Sequence, residues 1–194
     1  MKRFAKDILI VITIFLAGFL TAYYFYALQD WQCSAATITG NDIKLTPLLD
    51  KNFASALIFE IDNAEQSIDM AMFEFKFYET EKNKAHQILD SLINASARGV
   101  KIRILLDASD WNDEIGKDNN VTINFLKSQG IEAKLDNPKR TLHSKLIIID
   151  NKVFVGSHNL VFSALERNNE ASILVENPEI LEQYRNYFEW LWNS

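Results

Sequence analysis

Residues 143–159 hold two polar motifs around an apolar run: His143-Ser144-Lys145-Leu146-Ile147-Ile148-Ile149-Asp150 and Gly156-Ser157-His158-Asn159. The continuous apolar run at 146–149 is typical of a strand that is buried on both faces. Together the motifs predict a β-hairpin that collects an imidazole, an ammonium, a hydroxyl and a carboxamide at its ends. These groups suit attack on a phosphodiester without the help of a metal ion.

The period of a strand indicates which side chains of the first motif act together. Side chains two positions apart share a face, so His143 and Lys145 are expected to project together. Asp150 has the opposite parity and is predicted to be a structural carboxylate at the hairpin turn. A histidine and a lysine alone would more often mark a solvated strand edge. The second motif at this distance is what favours a functional site.

The second motif adds groups that can hold a phosphate. Gly156 leaves room for a ligand or for another backbone. Ser157 and Asn159, again two positions apart, present a hydroxyl and an amide in one direction. Lys145 and Asn159 are predicted to hold nonbridging phosphate oxygens and to stabilise the charge of a pentavalent transition state.

Phosphoryl transfer at this site needs a nucleophile and an acid. Neutral His143 can attack phosphorus, and covalent catalysis splits one difficult displacement into two steps. A second acid must then protonate the leaving oxygen. Glu170 is predicted to orient His143 by accepting its other ring N–H, as a carboxylate does in serine proteases. The alternative is an ordinary acidic residue at the start of a strand.

Helices and strands alternate along the rest of the chain. Apolar periodicity predicts helices at 48–64, 81–97, 120–128 and 178–192, and strands at 67–75, 100–106, 131–135 and 170–175. This alternation predicts an α/β fold, a sandwich around a mostly buried sheet. Function is then expected where strand ends meet loops.

The pattern H-x-K-x4-D followed by G-S-x-N resembles the signature of the phospholipase D superfamily. Residues 67–73 and 97–107 look like the family's first strand and its helix-to-strand junction. The resemblance implies a phospholipase D-like α/β sandwich with a central mixed sheet flanked by helices, and no cofactor. It also implies roles for five residues: His143 is the nucleophile that becomes phosphohistidine, Lys145 and Asn159 bind phosphate, Ser157 supports the site, and Glu170 pairs with the histidine.

The H-x-K motif occurs once, as in the short bacterial endonucleases and the mitochondrial membrane-anchored phospholipase D-like proteins that this chain resembles. The resemblance implies a homodimer in which the second His143 is the general acid. One departure is that five residues separate Asp150 from Gly156, where the family usually has six. A shortened turn would preserve both strand faces, whereas a deletion within a strand would turn Ser157 and Asn159 to the wrong side.

The N-terminal segment predicts a membrane anchor. Residues 8–28 are uncharged, mostly apolar and long enough to cross a bilayer as a helix, and three basic residues precede them. The positive-inside rule then predicts a single-pass protein with its domain outside the cytoplasm. The alternative is a secretory signal cleaved near Ser34 and Ala36. The predicted organisation is an anchor at 1–30, a linker and first strand at 31–46, and a catalytic domain at 47–194.

The net charge of the chain affects which substrates it can bind. The chain carries a net charge of -6, whereas proteins that coat DNA nonspecifically are basic. Contact with nucleic acid would depend on a local cationic rim, and the alternative is a scattered, solvated charge pattern. The rim is predicted from Lys139 and Arg140, with Lys134, Arg98, Lys101 and Arg103 as further cations.

Three functions are compatible with these observations. An endonuclease acting on DNA or RNA is favoured. The alternatives are a phospholipase D-type hydrolase or transferase acting on phospholipid head groups, and an inactive phosphate-binding module. No cluster of histidine, cysteine and acidic residues has the usual spacing of a metal site, so activity in EDTA is predicted.

Overall fold

The computed structural model describes residues 18, 21, 43–78, 80–108 and 112–194. The chain forms two compact units, Met1–Thr37 and Ile38–Ser194. The described strands of the second unit are β1 Lys44–Leu49, β2 Ser67–Met72, β3 Lys101–Leu106, β4 Glu132–Leu135, β5 Lys145–Ile149, β6 Lys152–Gly156 and β7 Ala171–Glu176. Its described helices are α1 Asn52–Asp62, α2 Lys84–Ala97, α3 Asp113–Ser128, α4 Phe162–Glu166 and α5 Pro178–Asn193.

The predicted membrane anchor at 8–28 lies outside the described residues, except for Gly18 and Thr21, which are helical. Ser34 and Ala36, the predicted cleavage region, also lie outside them. Among the residues that the structure describes, no helix combines the length and the apolar character needed to cross a bilayer. The anchor and the cleavage site therefore stay predictions.

The described strands form one mixed, seven-stranded sheet in the order β1-β7-β6-β5-β2-β3-β4. Strands β2, β3 and β4 run parallel. Strands β5, β6, β7 and β1 extend the sheet by antiparallel pairing from β2. The mixed central sheet predicted from the sequence is confirmed. Because β5 lies in the middle of the sheet, it needs apolar side chains on both faces.

Different helices cover the two faces of the sheet. Ile147 and Ile149 of β5 pack into the larger core with residues of α1, α2, α3 and α4. Leu146 and Ile148 point to the opposite face, where α5 packs through Phe188. This alternation follows from the two-residue period of a strand. The predicted flanking of the sheet by helices is therefore confirmed.

The helices differ from the prediction in several places. Helix α1 begins after 48, because Leu48 belongs to the edge strand β1. Helix α3 begins before 120, because the Asn112 carboxamide caps its first turn by accepting two backbone hydrogen bonds of 3.1 and 3.4 Å. The short helix α4 was not predicted. Local periodicity missed both the cap and the edge strand.

The hairpin between β5 and β6 turns in two residues. Ile149 pairs with Lys152, so Asp150 and Asn151 make the turn. Asp150 takes the left-handed conformation, with φ 47°. The pairing runs regularly from Leu146 to this turn. The spacing that is one residue shorter than the family pattern therefore fits a shortened turn, which leaves the strand faces unchanged.

Asp150 ties this turn to the chain that precedes β2. Its carboxylate accepts hydrogen bonds of 2.9 Å from the backbone N–H groups of Glu65, Gln66 and Ser67. Burial raises the pKa of the Asp150 carboxyl, but the three donors outweigh burial and hold the pKa below its ordinary value. The side chain lies at the end of β5 away from His143.

Replacing Asp150 with alanine is expected to lower the free energy of unfolding by about 3 kcal/mol, because three N–H donors lose their acceptor and alanine resists a positive φ. Asp150→Asn keeps one acceptor oxygen and tolerates this conformation, so about half of that loss is expected. Urea denaturation at neutral pH measures both. The contribution of the carboxylate is present above its unfolded pKa of 3.8 and is lost as pH falls through the lower folded pKa. Equal stability of the Ala variant and the wild type would contradict the structural role.

Candidate active site

Both motifs are attached to one short segment that continues strand β2. The Phe73 N–H donates to the Ser144 carbonyl (2.9 Å), and the Leu160 N–H donates to the Glu74 carbonyl (3.0 Å). Because Phe73 and Glu74 are neighbours, the two motifs meet at the same end of the sheet, where β5 begins. The residues immediately before these two contacts are His143 and Asn159.

A buried asparagine of α3 holds this β2 extension in place. The Asn119 amide donates to the carbonyls of Phe73 and Asp107 (both 2.9 Å), and its oxygen accepts from the Phe75 N–H (3.0 Å). Asn119 is fully buried. No sequence pattern indicated this role, because the asparagine stands within an ordinary amphipathic helix and its partners are distant in the chain.

His143 is exposed and rests against the ring of Phe73, with a centroid distance of 4.5 Å. Partial desolvation of the ring lowers the pKa of His143 below 6.5, the nearby Lys145 lowers it further, and Asp107 opposes them. The imidazole is therefore mostly neutral at pH 7. A neutral imidazole has the free lone pair that nucleophilic attack requires.

Lys145 lies next to His143 and is half-buried. Its Nζ donates to the His143 carbonyl (3.0 Å) and lies 4.6 Å from the centroid of the Phe73 ring. Burial lowers the pKa of Lys145 to about 8, although the charges of Glu170, Asp107 and Glu74 act against this shift. The ammonium is still the main form at pH 7 and can attract a phosphate.

Asp107, directly after β3, is a further residue of the site that sequence reasoning did not assign. It is fully buried, and its Oδ1 accepts from the Leu142 N–H (2.7 Å), just before His143. Its charge favours the protonated forms of His143 and Lys145. A carboxylate that directly follows a buried strand was the available signal.

Ser157 and Glu170 are joined to each other. The Ser157 hydroxyl donates to the Glu170 carboxylate, which also accepts from the Asn168 amide (3.1 Å). The Ser157 oxygen in turn accepts from the Ala171 N–H (3.1 Å). In the part of the chain that the structure describes, no hydrogen bond joins Glu170 to the His143 ring, so that pairing stays a prediction.

Asn159 is half-buried, and its Oδ1 is buried without a hydrogen-bond partner among the described residues. Nearly all buried polar groups in proteins are paired, so an unpaired amide is unusual. The two ends of a carboxamide can exchange places by rotation. Phosphate binding by the Asn159 amide stays a prediction.

Gly156 and His158 serve the sheet and not a pocket. A Cβ on Gly156 would lie 2.2 Å from the Ser172 hydroxyl oxygen and 2.4 Å from the Ser172 Cα, so the glycine makes room for strand β7. His158 stands between Ser157 and Asn159 in the second motif. The imidazole is fully buried and both of its nitrogens have protein partners.

The cationic rim is smaller than predicted. Lys139 and Arg140 are exposed, and Arg140 lines a cavity of about 90 Å³ together with His143, Tyr187 and Trp190. The other four predicted cations are directed elsewhere: Lys134 to the Trp192 carbonyl, Arg103 to Asp69 and Glu189, Arg98 to the carbonyls of Ile61 and Ala64, and Lys101 to the far end of β3. Their assignment to the rim is wrong.

Comparison with known proteins identifies the family. Residues 57–192 match the family model described as cardiolipin synthase, PLD-like domain. The chain belongs to the phospholipase D superfamily. Within it, the chain is 37% identical over 126 residues to a phospholipase D of Rickettsia conorii, an alignment that covers 64% of this chain and 56% of that protein. The chain thus matches little more than half the length of this relative.

Two further members of the phospholipase D superfamily are similar to the chain. The 5'-3' exonuclease PLD3 of Xenopus laevis is 33% identical over 145 residues, covering 68% of this chain and 28% of that protein. The crystal structure of Nuc from Salmonella typhimurium superposes with a TM-score of 0.66 at 24% identity, covering 78% of this chain and 95% of that one. The second likeness shows the shared fold.

Proposed function

We propose that the chain is a metal-independent phosphodiesterase, and that it is an endonuclease cleaving DNA or RNA through a phosphohistidine intermediate. The observation that carries the proposal is the pair formed by His143 and Lys145 at the start of β5. A neutral, exposed imidazole lies beside an ammonium that donates to the His143 carbonyl. One group can attack phosphorus while the other binds the charge that attack creates.

The proposed reaction has two displacements. In the first, a nitrogen of His143 forms a bond to phosphorus, the bond from phosphorus to the leaving oxygen breaks, and an acid protonates that oxygen. In the second, water attacks phosphorus, gives its proton to the same group, and the bond from nitrogen to phosphorus breaks. Lys145 and Asn159 hold the nonbridging oxygens in both steps. The imidazole is restored at the end.

The proton donor is proposed to come from a second copy of the chain. The sequence has three histidines. His158 is buried with both nitrogens bonded. His86 lies on α2 and bonds to the Tyr78 carbonyl (2.8 Å), away from the motifs. A homodimer that brings two His143 rings to one phosphate would supply the acid. Sedimentation of the full chain in detergent tests this, and a strict monomer with full activity would contradict it.

Nucleic acid is the preferred substrate because Lys139 and Arg140 are exposed and Arg140 lines the same cavity as His143, so the two cations can contact successive phosphates. A phospholipid is the second candidate. It is favoured by the name of the Rickettsia relative and by the predicted anchor, which would hold the site near lipid.

We also propose that residues 8–28 keep the domain on the outer side of the membrane. Resistance to alkaline extraction and digestion by external protease would test that placement.

The central experiment incubates the purified full chain with supercoiled plasmid, single-stranded RNA and labelled phospholipid vesicles, each in excess EDTA. Nicking of plasmid or cleavage of RNA supports the endonuclease. Release of head groups alone would support the phospholipid candidate and contradict the nuclease. Cleavage that appears only when a divalent metal is added would contradict the metal-independent mechanism.

The pH dependence of kcat/KM is expected to be bell-shaped. On the acid side, kcat/KM rises with pH as His143 loses its proton, below its ordinary pKa of 6.5. On the alkaline side, kcat/KM falls in two stages: first as His143 of the second copy loses the proton that it must donate, and again as Lys145 loses its charge near pH 8. Initial rates from about pH 5 to about pH 10 measure both limbs. A second alkaline stage that begins only near the ordinary lysine pKa of 10.5 would contradict the burial of Lys145.

A further inference from the structure

We propose that His158, at the variable position of G-S-x-N, is a positioning residue that fixes Glu170 and Ser157 for the reaction through a chain of hydrogen bonds from Ser172 to Asp50. The inference rests on the proposed function of the site. Its geometric basis is independent of the substrate. The imidazole contacts Ser172, 14 positions further along the chain, and Asp50, 108 positions before it.

The His158 ring is enclosed and fully bonded. It is 0% exposed and stacks on the Phe53 ring with a centroid distance of 4.2 Å and an interplanar angle of 7°. Its Nδ1 lies 2.7 Å from the Ser172 hydroxyl oxygen, and its Nε2 lies 3.0 Å from the Asp50 carbonyl oxygen. The two hydrogen bonds fix the orientation of the ring, and Phe53 fills the space against its face.

The partners fix the tautomer of His158. A carbonyl oxygen can only accept, so Nε2 carries the proton and donates to Asp50. Nδ1 of the neutral ring is then an acceptor, and the Ser172 hydroxyl donates to it. Burial lowers the pKa of His158 below its ordinary value, which agrees with a neutral ring. The result is a directed chain from Ser172 through His158 to Asp50.

Asp50 passes this constraint to Glu170. Asp50 lies in the left-handed conformation with φ 48°, between β1 and α1. Its N–H donates to the Glu170 carbonyl (3.0 Å), and its Oδ1 accepts from the Glu170 N–H (2.9 Å). Two hydrogen bonds therefore hold the backbone of Glu170 to one residue, and His158 holds the carbonyl of that residue.

The same network reaches Ser157 from the other side. Gly156 pairs with Ser172 across β6 and β7, and the Ser157 N–H donates to the Ala171 carbonyl (3.0 Å). Ser157 then donates its hydroxyl to the Glu170 carboxylate. His158 stands between Ser157 and Asn159 in the chain. If the His158 ring lost its hydrogen bonds, the turn at Asp50 and the contact between Ser157 and Glu170 would both lose their support.

Two substitutions of His158 separate the effect of its hydrogen bonds from the effect of the volume that its ring fills. His158→Gln can place its amide N–H where the imidazole Nε2 donates to the Asp50 carbonyl, although its oxygen does not occupy the position of Nδ1. His158→Phe keeps the stacking on Phe53 and removes both hydrogen bonds. The Phe variant is expected to lose about 10- to 100-fold in kcat with KM changed less than about threefold, and the Gln variant to recover most of that loss. Phe53→Leu is the packing control, expected to lower Tm and to leave kcat near the wild-type value.

A second readout does not depend on activity. The NMR signal of the Glu170 side-chain carboxyl carbon, assigned by its absence in Glu170→Gln, is expected to move in His158→Phe and to stay in place in His158→Gln. If the wild type cleaves no phosphodiester, the proposed function fails and the Glu170 signal still decides the positioning role. A Phe variant equal to wild type in this signal, or in kcat where the wild type is active, would overturn the inference. So would a loss of kcat in Phe53→Leu as large as that in His158→Phe.

Discussion

Replacing His143 with alanine is expected to lower kcat for phosphodiester cleavage by about ten-thousand-fold or more. The reason is that no other imidazole of the described chain can take its place. His158 is buried and bonded at both nitrogens, and His86 lies on helix α2. Because His143 is exposed, the free energy of unfolding is expected to change by less than about 1 kcal/mol.

The control for this variant is His86→Ala, which removes a different imidazole and is expected to keep the wild-type kcat. Rapid acid-free quenching with labelled substrate is expected to trap phosphohistidine in the wild type and in His86→Ala, but not in His143→Ala. Unchanged cleavage by His143→Ala would show that another group is the nucleophile. Urea denaturation gives the stability of each variant independently. It therefore distinguishes the loss of the nucleophile from misfolding of the variant.

Heterodimers test the shared site that we propose. When wild-type and His143→Ala chains are co-expressed with different tags, the purified heterodimer is expected to be almost inactive. One imidazole is then absent from the shared site, either as nucleophile or as acid. If each chain had a complete site of its own, the heterodimer would keep about half of the wild-type kcat.

Much of the fold could be predicted because its signals are local. The apolar run at 146–149 indicated a central strand, and β5 lies in the middle of the sheet. The alternation of helices and strands indicated the mixed α/β architecture. The predictions were wrong where contacts between residues distant in the chain determine the secondary structure. Leu48 looked like part of a helix, but it lies in a strand because β7 offers an edge with which it can pair.

The candidate site was predictable in its motif residues and not in what surrounds them. Motif spacing pointed to His143 and Lys145. Nothing near Asp50 or Asn119 in the sequence indicates that these residues hold Glu170 and the β2 extension. Such partners are brought together only by the fold. The contact between His158 and Asp50 could not be predicted for the same reason, because the two residues are 108 positions apart.

The cationic rim illustrates a different limit. Composition counts charges and does not say which of them are already paired. Arg103 pairs with Asp69 and Glu189 and lies 5.0 Å from the centroid of the Phe188 ring. It therefore holds α5 on the sheet. Only Lys139 and Arg140 remain as rim candidates among the cations considered, which makes Lys145 the principal charge available to a phosphate.

Lys145→Met is accordingly expected to lower kcat/KM by about a thousand-fold, because the transition state loses the ammonium that binds its developing charge. Methionine keeps the apolar stem of similar length. Since burial disfavours the ammonium in the wild type, removing the charge is not expected to lower the free energy of unfolding. Steady-state kinetics and urea denaturation measure the two effects separately.

Lys145→Arg separates the charge from the shape of the side chain. Arginine stays protonated at every pH of the assay, so the alkaline limb near pH 8, assigned to Lys145, is expected to move upward or vanish. Activity should be partly restored relative to Lys145→Met, because a positive charge is again available beside His143. The restoration is expected to be incomplete, since the guanidinium is larger and planar and does not place its charge where the compact ammonium lies, 4.6 Å from the centroid of the Phe73 ring. An alkaline limb left unchanged in Lys145→Arg would assign that limb to another group and remove Lys145 from the pH dependence.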